Sequence, residues 1–366
     1  MPEIQPNKPV TPRRKSPAKP RKPRKKESWI RRHSMPVMIG CLAVVAFFIG
    51  VLLFAFAPHA PREGGDWVYI PKGSSTQAVK DSLRNSLGRA DGTRVYMLWR
   101  LMGGGISNAE GAYRVDFGQT ALSVARRIAT GRQTPVSVSF KSARKLDMVA
   151  GRIASQLEFS AEEFLDACDK VLPDHGFKKA QFPAAFIPDT YEFYWDVAPE
   201  KAVERLLAYR DDFWTQERLD KAEALGLSKV EVATVASIIE EESAKRDERP
   251  KIARLYLNRL AKGMRLQADP TVKFAVGDFS LRRITGAHLK ASSPYNTYQH
   301  AGLPPGPIRI PEARDIDAVL DAPHHQYLYM CAREDFSGYH NFAVDYATHQ
   351  ANARRYQSEL NRRGIR

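Results

Sequence analysis

Three hydrophobic patterns succeed one another along the chain. Residues 36–57, PVMIGCLAVVAFFIGVLLFAFA, are an apolar run without a charge. A helix rising 1.5 Å per residue needs about 20 such residues to cross roughly 30 Å of hydrocarbon, so the run predicts one membrane-spanning helix. Short alternating segments then interleave with helical periodicity. Val68–Pro71, Gly111–Val115 and Val136–Phe140 read as strands. Ser75–Leu87, Arg94–Met102 and Thr120–Thr130, closed by Gly131, read as helices. Together they predict a small α/β module over 66–140, with helices on one side of a short sheet. A helical connecting region over 141–225 follows, including Ala161–Lys170 and Pro199–Leu225. From 226 to 366 a long helix gives way to loops dense in Pro, Gly, Tyr and Asn. The expected fold class is α+β.

That long helix carries the first candidate chemistry. Ser228-Lys229-Val230-Glu231 fits the S-x-x-E capping box, which places the helix start at Ser228. Val232, Val235, Ile238 and Ile239 form an apolar stripe, and Glu242 falls at its centre at 100° per residue. Glu240 and Glu241 point well off it. A carboxyl aimed inward is partly desolvated and stays protonated near neutral pH, as a general acid must. The alternative is a structural carboxylate at the last inward position of a fraying helix, paired with Arg246 or with an arginine of the next helix. Helix geometry alone leaves the two readings even. Lys251–Leu260 is expected to form that next helix, and Gly263–Thr271 a loop or strand after it.

Composition narrows the class. The chain of 366 residues suits two or three domains, and its 43% hydrophobic and 27% charged residues exclude a wholly disordered, collagenous or disulfide-scaffold protein. The net charge of +15 suggests nucleic acid until it is placed along the chain: residues 1–35 carry +10 of it and the remainder only +5. Residues 2–26 hold seven prolines and almost nothing apolar, which predicts a disordered basic tail. Followed directly by an apolar run, this tail reads as the cytoplasmic flank of an anchor under the positive-inside rule, with residues 58–366 outside and no nucleic-acid partner. Ala55-Phe56-Ala57 resembles a signal-peptide cleavage site, but the charged region before it is too long and Pro58 follows directly. Cys41, Cys168 and Cys331 lie far apart without Cys/His clustering, so neither metal nor cofactor is expected. Outside the cytoplasm Cys168 and Cys331 are available for one disulfide. The Gly103-Gly104-Gly105 run lacks the context of a phosphate loop and reads as a turn.

The Pro/Gly loops after 260 present Tyr, Asn, Gln and Thr, groups suited to a neutral ligand rich in hydroxyls and amides. Each such loop taken singly is structural by default. Here the chain resembles a known family. Ala236–Ser243 (ASIIEEES), Gly263–Thr271 (GMRLQADPT), Pro294–Tyr298 (PYNTY) and Gly302–Pro307 (GLPPGP) are similar, in order, to motifs of the membrane-anchored endolytic murein transglycosylases, the YceG-like family. Phe186–Phe193, Tyr327–Tyr329 and His340–His349 resemble further segments of it. Ala184-Ala185, Cys331 and Gln350 depart from its usual residues.

The resemblance implies a lytic transglycosylase acting on peptidoglycan glycan strands beside the inner membrane, a LysM-like first module, and a glycan groove in the catalytic domain. It implies Glu242 as the essential acid, the residue that the helical wheel also selects. Gln267, Asp269 and Thr271 are then expected to shape the groove, and Tyr295, Asn296, Thr297 and Tyr298 to hold the sugars. Cell-wall polymerases are implied as partners. A non-catalytic wall-binding scaffold is the rival of a different class, and a muramidase-type hydrolase using Asp269 as second carboxylate is the rival of the same class.

Overall fold

A computed structural model describes residues 29–281 and 284–364, so the basic segment expected to be disordered over 2–26 lies outside the described residues. The chain divides into two compact units, 1–57 and 58–366. In the first, helix α1 spans Trp29–Phe56, and its portion Ser34–Phe56 is long and apolar enough to cross a membrane or to serve as a signal sequence. The helix starts ahead of the expected boundary, with Pro36 inside it. Pro36 lies past the first turn, where a proline withholds one backbone donor and tends to kink a helix; here the helix continues through it.

The second unit opens with β1 (Asp66–Ile70), α2 (Thr76–Leu87), α3 (Arg89–Leu101), α4 (Ile106–Ala109), β2 (Gly111–Val115) and α5 (Ala121–Ala129). β1 and β2 pair antiparallel, with Asp66 opposite Val115 and Ile70 opposite Gly111. Ser75 and Thr120 cap α2 and α5 by accepting the N–H of Ala78 and of Ser123. α3 begins a turn earlier than expected because Gly88, at φ +82°, reverses the chain directly after α2. The two helices then pack closely at Gly92, where a Cβ would stand 2.4 Å from the Leu83 carbonyl oxygen.

β3 (Val136–Ser139) does not join that sheet. It pairs antiparallel with β4 (Thr190–Phe193), Val136 opposite Phe193. Its alternation explains the choice: Val136, Val138 and Phe140 enter a core built by α6 (Leu146–Ala154), α7 (Ala161–Asp174) and α8 (Pro199–Phe213) around Phe164, Phe186 and Tyr191. The single helix expected over Pro199–Leu225 is two, because Trp214 leaves the helical conformation and Thr215 caps α9 (Gln216–Ala224).

A second core gathers α10 (Lys229–Glu242), α11 (Arg249–Ala261), α12 (Asp269–Val276) and α13 (Ala313–Leu320). The hairpin of β5 (Tyr329–Ala332) and β6 (His340–Ala343), followed by α14 (Tyr346–Arg362), packs beside it. α10 is the shared element: Ala233 faces the first core, Val232, Val235, Ile238 and Ile239 face the second, and every residue from Val232 to Glu240 is buried. Asp269–Thr271, expected as loop or strand, open α12 instead. Pro270 suits a first turn because it forgoes an N–H that has no partner there, and Asp269 complements the positive end of the helix dipole. Cys168 is buried in α7 and Cys331 lies on β5, each unpaired, so the disulfide does not form.

Candidate active site

The capping box at Ser228 forms as expected: its hydroxyl accepts the Glu231 N–H, and the Glu231 carboxylate accepts the Ser228 N–H at 2.8 Å. The other end of α10 delivers three consecutive carboxylates to three environments. Glu240, expected to point away from the interior, is buried. It pairs with Arg309 at 3.0 Å and accepts the Glu312 N–H at 3.1 Å. A helix enclosed on all sides has no single inward stripe, and Arg309 compensates the buried charge. Burial raises the Glu240 pKa above the usual carboxylate range, with Arg309 opposing. Glu241 holds Arg144 through two hydrogen bonds of 2.7 and 2.9 Å and Arg309 through a third of 2.6 Å. Burial acts to raise its pKa, but these arginines hold it low.

Glu242 differs from both. It forms no ion pair among the described residues, Arg246 lying by Glu312 instead. Its carboxylate accepts the hydroxyl of Tyr256, from the second turn of α11. It lies in a cleft of about 240 Å³, shared with Asp269, Gln267, Tyr298, Arg259 and His340. Burial pushes its pKa up to about 7, and the negative charge of Asp269 adds to the rise. The Tyr256 hydrogen bond and the positive charges of His340 and Lys273 act in the opposite direction. The result is a carboxyl group divided between its acid and base forms near neutral pH.

Of the eight residues expected to form the site, four share this cleft. Asp269 accepts the Tyr298 hydroxyl at 2.7 Å, and Gln267 sits at φ +54°, a left-handed conformation uncommon for a residue with a side chain. Arg259 fixes this loop by donating to the carbonyls of Arg265, Leu266 and Leu328, at 2.6 Å for the last.

The other four lie behind the cleft wall. Thr271 and Thr297 are buried with hydroxyl oxygens 2.8 Å apart, and both bond to the backbone of Ala268. Asn296 is fully buried and donates its amide to the carbonyls of Leu289 and Ala291. Tyr295 packs on Phe274 with ring centroids 4.6 Å apart, and its hydroxyl reaches the Ala180 carbonyl. These four position the loop that carries Gln267, Asp269 and Tyr298.

Sequence reasoning did not single out Tyr256, Arg259 or Glu248, and it noted His340 only within a stretch that resembles the family, without a role. The first two had a signal, since they fall one turn apart on the face of α11 that also carries Ile252 and Leu255. His340 lines the cleft, and buried Glu248 orients it by accepting Nδ1 at 2.8 Å and the His340 N–H at 2.9 Å. Glu248 precedes α11 and His340 opens β6, so only the fold joins them. Among the described residues, no group of three or more His, Cys, Asp or Glu is placed to hold a metal ion.

Comparison with known proteins gives the family. The chain is 26% identical, over a 293-residue alignment, to an endolytic murein transglycosylase of Bacillus subtilis, covering 73% of this chain and 79% of that one. It is 30% identical over 149 residues to an endolytic murein transglycosylase of Streptococcus pneumoniae, a match spanning 40% of this chain and 27% of that longer protein. A crystal structure of a YceG-like protein from Listeria monocytogenes superposes with a TM-score of 0.50 at 26% identity, over 78% of this chain and 98% of that one. The model of the YceG-like family matches residues 68–355, the span that holds both cores and the cleft, and the chain belongs to that family.

Proposed function

We propose that the protein is a membrane-anchored lytic transglycosylase that cleaves the MurNAc-β-1,4-GlcNAc bond within peptidoglycan glycan strands. The observation that carries this reading is Glu242: a carboxyl in a cleft, held by a tyrosine rather than a cation, with its pKa raised to about 7. In its acid form Glu242 gives a proton to the glycosidic oxygen as the bond to C1 of MurNAc breaks through an oxocarbenium-like state. Its carboxylate then takes the proton of the C6 hydroxyl of the same MurNAc while that oxygen bonds C1. The 1,6-anhydro ring closes, the acid form returns, and no water is consumed.

Tyr298 and Gln267 line the cleft beside the acid and are the residues proposed to contact sugar. Asp269 tunes Glu242. Thr271, Tyr295, Asn296 and Thr297 act as the frame behind them. α1 serves as an uncleaved anchor with its N-terminal flank in the cytoplasm, which puts the cleft near nascent strands leaving cell-wall polymerases and suits a role in terminating their growth. A LysM-like role for the module over 66–140 belongs to the same proposal.

Mass spectrometry of glycan strands incubated with the full chain, wild type beside Glu242→Gln, tests it. Ends in 1,6-anhydro-MurNAc from the wild type alone are expected. Because Asp269 acts on Glu242 across one cleft, reducing ends instead would make the enzyme a two-carboxylate hydrolase. Cleavage by neither protein, with binding retained, would make it a scaffold.

A further inference from the structure

A second cleft, of about 650 Å³, opens between the β1–β2 and β3–β4 sheets. On one wall Trp67 and Tyr69, two apart on β1, present neighbouring rings with centroids 5.9 Å apart and planes 12° from parallel. Trp195 backs Tyr69 at 5.1 Å. Tyr69 keeps 39% of its surface exposed, high for an aromatic ring already flanked by two others. On the facing wall, Ser137 of β3 and Glu192 of β4 stand opposite one another, both exposed and with side chains that bond to no other group among the described residues.

Three backbone groups beside this cleft are already taken by side chains. The Arg114 N–H is taken by the Thr134 hydroxyl, and the Ser139 N–H and carbonyl are both taken by the Gln156 amide. A peptide that binds by adding a strand would find those edge groups occupied. Arg114 is itself paired with Asp116 at 2.9 Å, and the unpaired charge in the cleft is the Glu192 carboxylate, which disfavours a polyanion. What the cleft offers is ring faces and free hydroxyl and carboxylate acceptors, the combination that suits apolar sugar faces bordered by hydroxyls and amides.

We propose that this cleft is a second glycan-binding site, which holds the strand away from the point of cleavage. It rests on the glycan-cleaving reading above for the identity of the polymer. From Ser137 in this cleft the chain leaves β3 and runs on to Ser142 and Arg144, which hold Arg309 and Glu241 beside the acid. The seven residue-to-residue steps from Ser137 to Arg144 span at most about 25 Å, so a single polymer chain can engage both places. One strand bound twice gains affinity by effective concentration, and the catalytic cleft then selects long strands over short fragments.

The test measures binding of peptide-free glycan strands to the full chain in detergent, in the Glu242→Gln background so that no strand is cut. Tyr69→Ala and Glu192→Ala are compared with that parent, with circular dichroism confirming the fold of each. Tyr69→Ala is expected to weaken binding of long strands about tenfold, the loss typical of removing an anchoring aromatic. Glu192→Ala should weaken it several-fold. Strand binding should also change the intrinsic fluorescence contributed by Trp67 and Trp195, and a free stem peptide should not compete. Unchanged affinity in both folded variants, or competition by the peptide, overturns the inference. Cleavage by wild type alongside unchanged binding in these variants defeats only this site. Absence of cleavage alongside weakened binding defeats only the reaction proposed above.

Discussion

Tyr256 donates its hydroxyl to the Glu242 carboxylate while Asp269 turns a negative charge toward the same group, so α11 and α12 act on the acid with opposite sign. The two substitutions that remove these effects should therefore move the pH dependence of cleavage in opposite directions. Tyr256→Phe removes a donor to the charged form and should shift the alkaline limb of the rate profile upward by about one pH unit. Asp269→Asn removes a like charge and should shift it downward, with a several-fold loss of rate at neutral pH. Rate profiles on glycan strands between pH 5 and 9 decide it. Shifts of the same sign would mean that Glu242 is not the titrating acid.

Glu242 also links activity to stability. Its pKa is 4.5 in an unfolded chain and about 7 here, so the folded protein binds the extra proton between these values. The stability linked to that proton is fully present below pH 4.5 and is lost as pH rises through 7. Glu242→Gln avoids charging a desolvated site. It should lower the cleavage rate by about 10²- to 10⁴-fold. Above pH 7 it should be more stable than wild type by up to about 3 kcal/mol, with the difference vanishing below pH 4.5. Thermal melts of both proteins at pH 4, 6 and 8 measure it.

The elements whose signal is local were legible in the sequence. The Ser228 capping box, the helices beginning at Ser75 and Thr120, and the apolar run of α1 each depend on residues within a few positions of one another. Glu242 was legible only in part: helical spacing back to Val235 and Ile238 put it on the interior side, but the same spacing put Glu240 outside, where the fold buries it. What the sequence hid depends on distant partners. β3 pairs with a strand more than 50 residues away, and Glu240 is tolerated inside because Arg309 meets it from another segment. Asn296 and Thr271 looked like ligand contacts because their residue types suit sugars. The carbonyls of Leu289 and Ala291 and the Thr297 hydroxyl that consume them become visible only in the folded chain.

The loop residues separate into frame and cleft, and stability measurements distinguish them. Asn296→Asp replaces an amide that bonds two carbonyls with a carboxylate that would face their oxygens, at a fully buried position. It should destabilise the protein by about 3 kcal/mol or more, with any loss of activity following the loss of folded protein. Tyr298→Phe deletes a hydroxyl at the cleft, where water can replace it as the donor to Asp269. It should cost under about 1 kcal/mol while lowering the cleavage rate several-fold. Urea unfolding curves beside activity per folded molecule test the division, and the reverse pattern would make Asn296 the sugar contact.

Arg309 joins the three-carboxylate helix end to the rest of the unit: it reaches Glu240 at 3.0 Å, Glu241 at 2.6 Å and the Ser142 hydroxyl at 2.8 Å. Arg309→Met keeps the stem but leaves Glu240 without a cation, whereas Glu241 retains Arg144. An uncompensated buried carboxylate costs about 3–5 kcal/mol, so the variant should be destabilised by that order at neutral pH. Glu240 already has a raised pKa through burial, and removing Arg309 raises it further. Its protonated form should therefore dominate at mildly acid pH and recover much of the lost stability there, the loss reappearing as pH climbs through the new pKa. The double variant Arg309→Met/Glu240→Gln removes both charges and should be nearly independent of pH between 5 and 8. Chemical denaturation of the single and double variants across that range tests this account. Equal stability of the two at pH 8 would show that Glu240 does not depend on Arg309 for its burial.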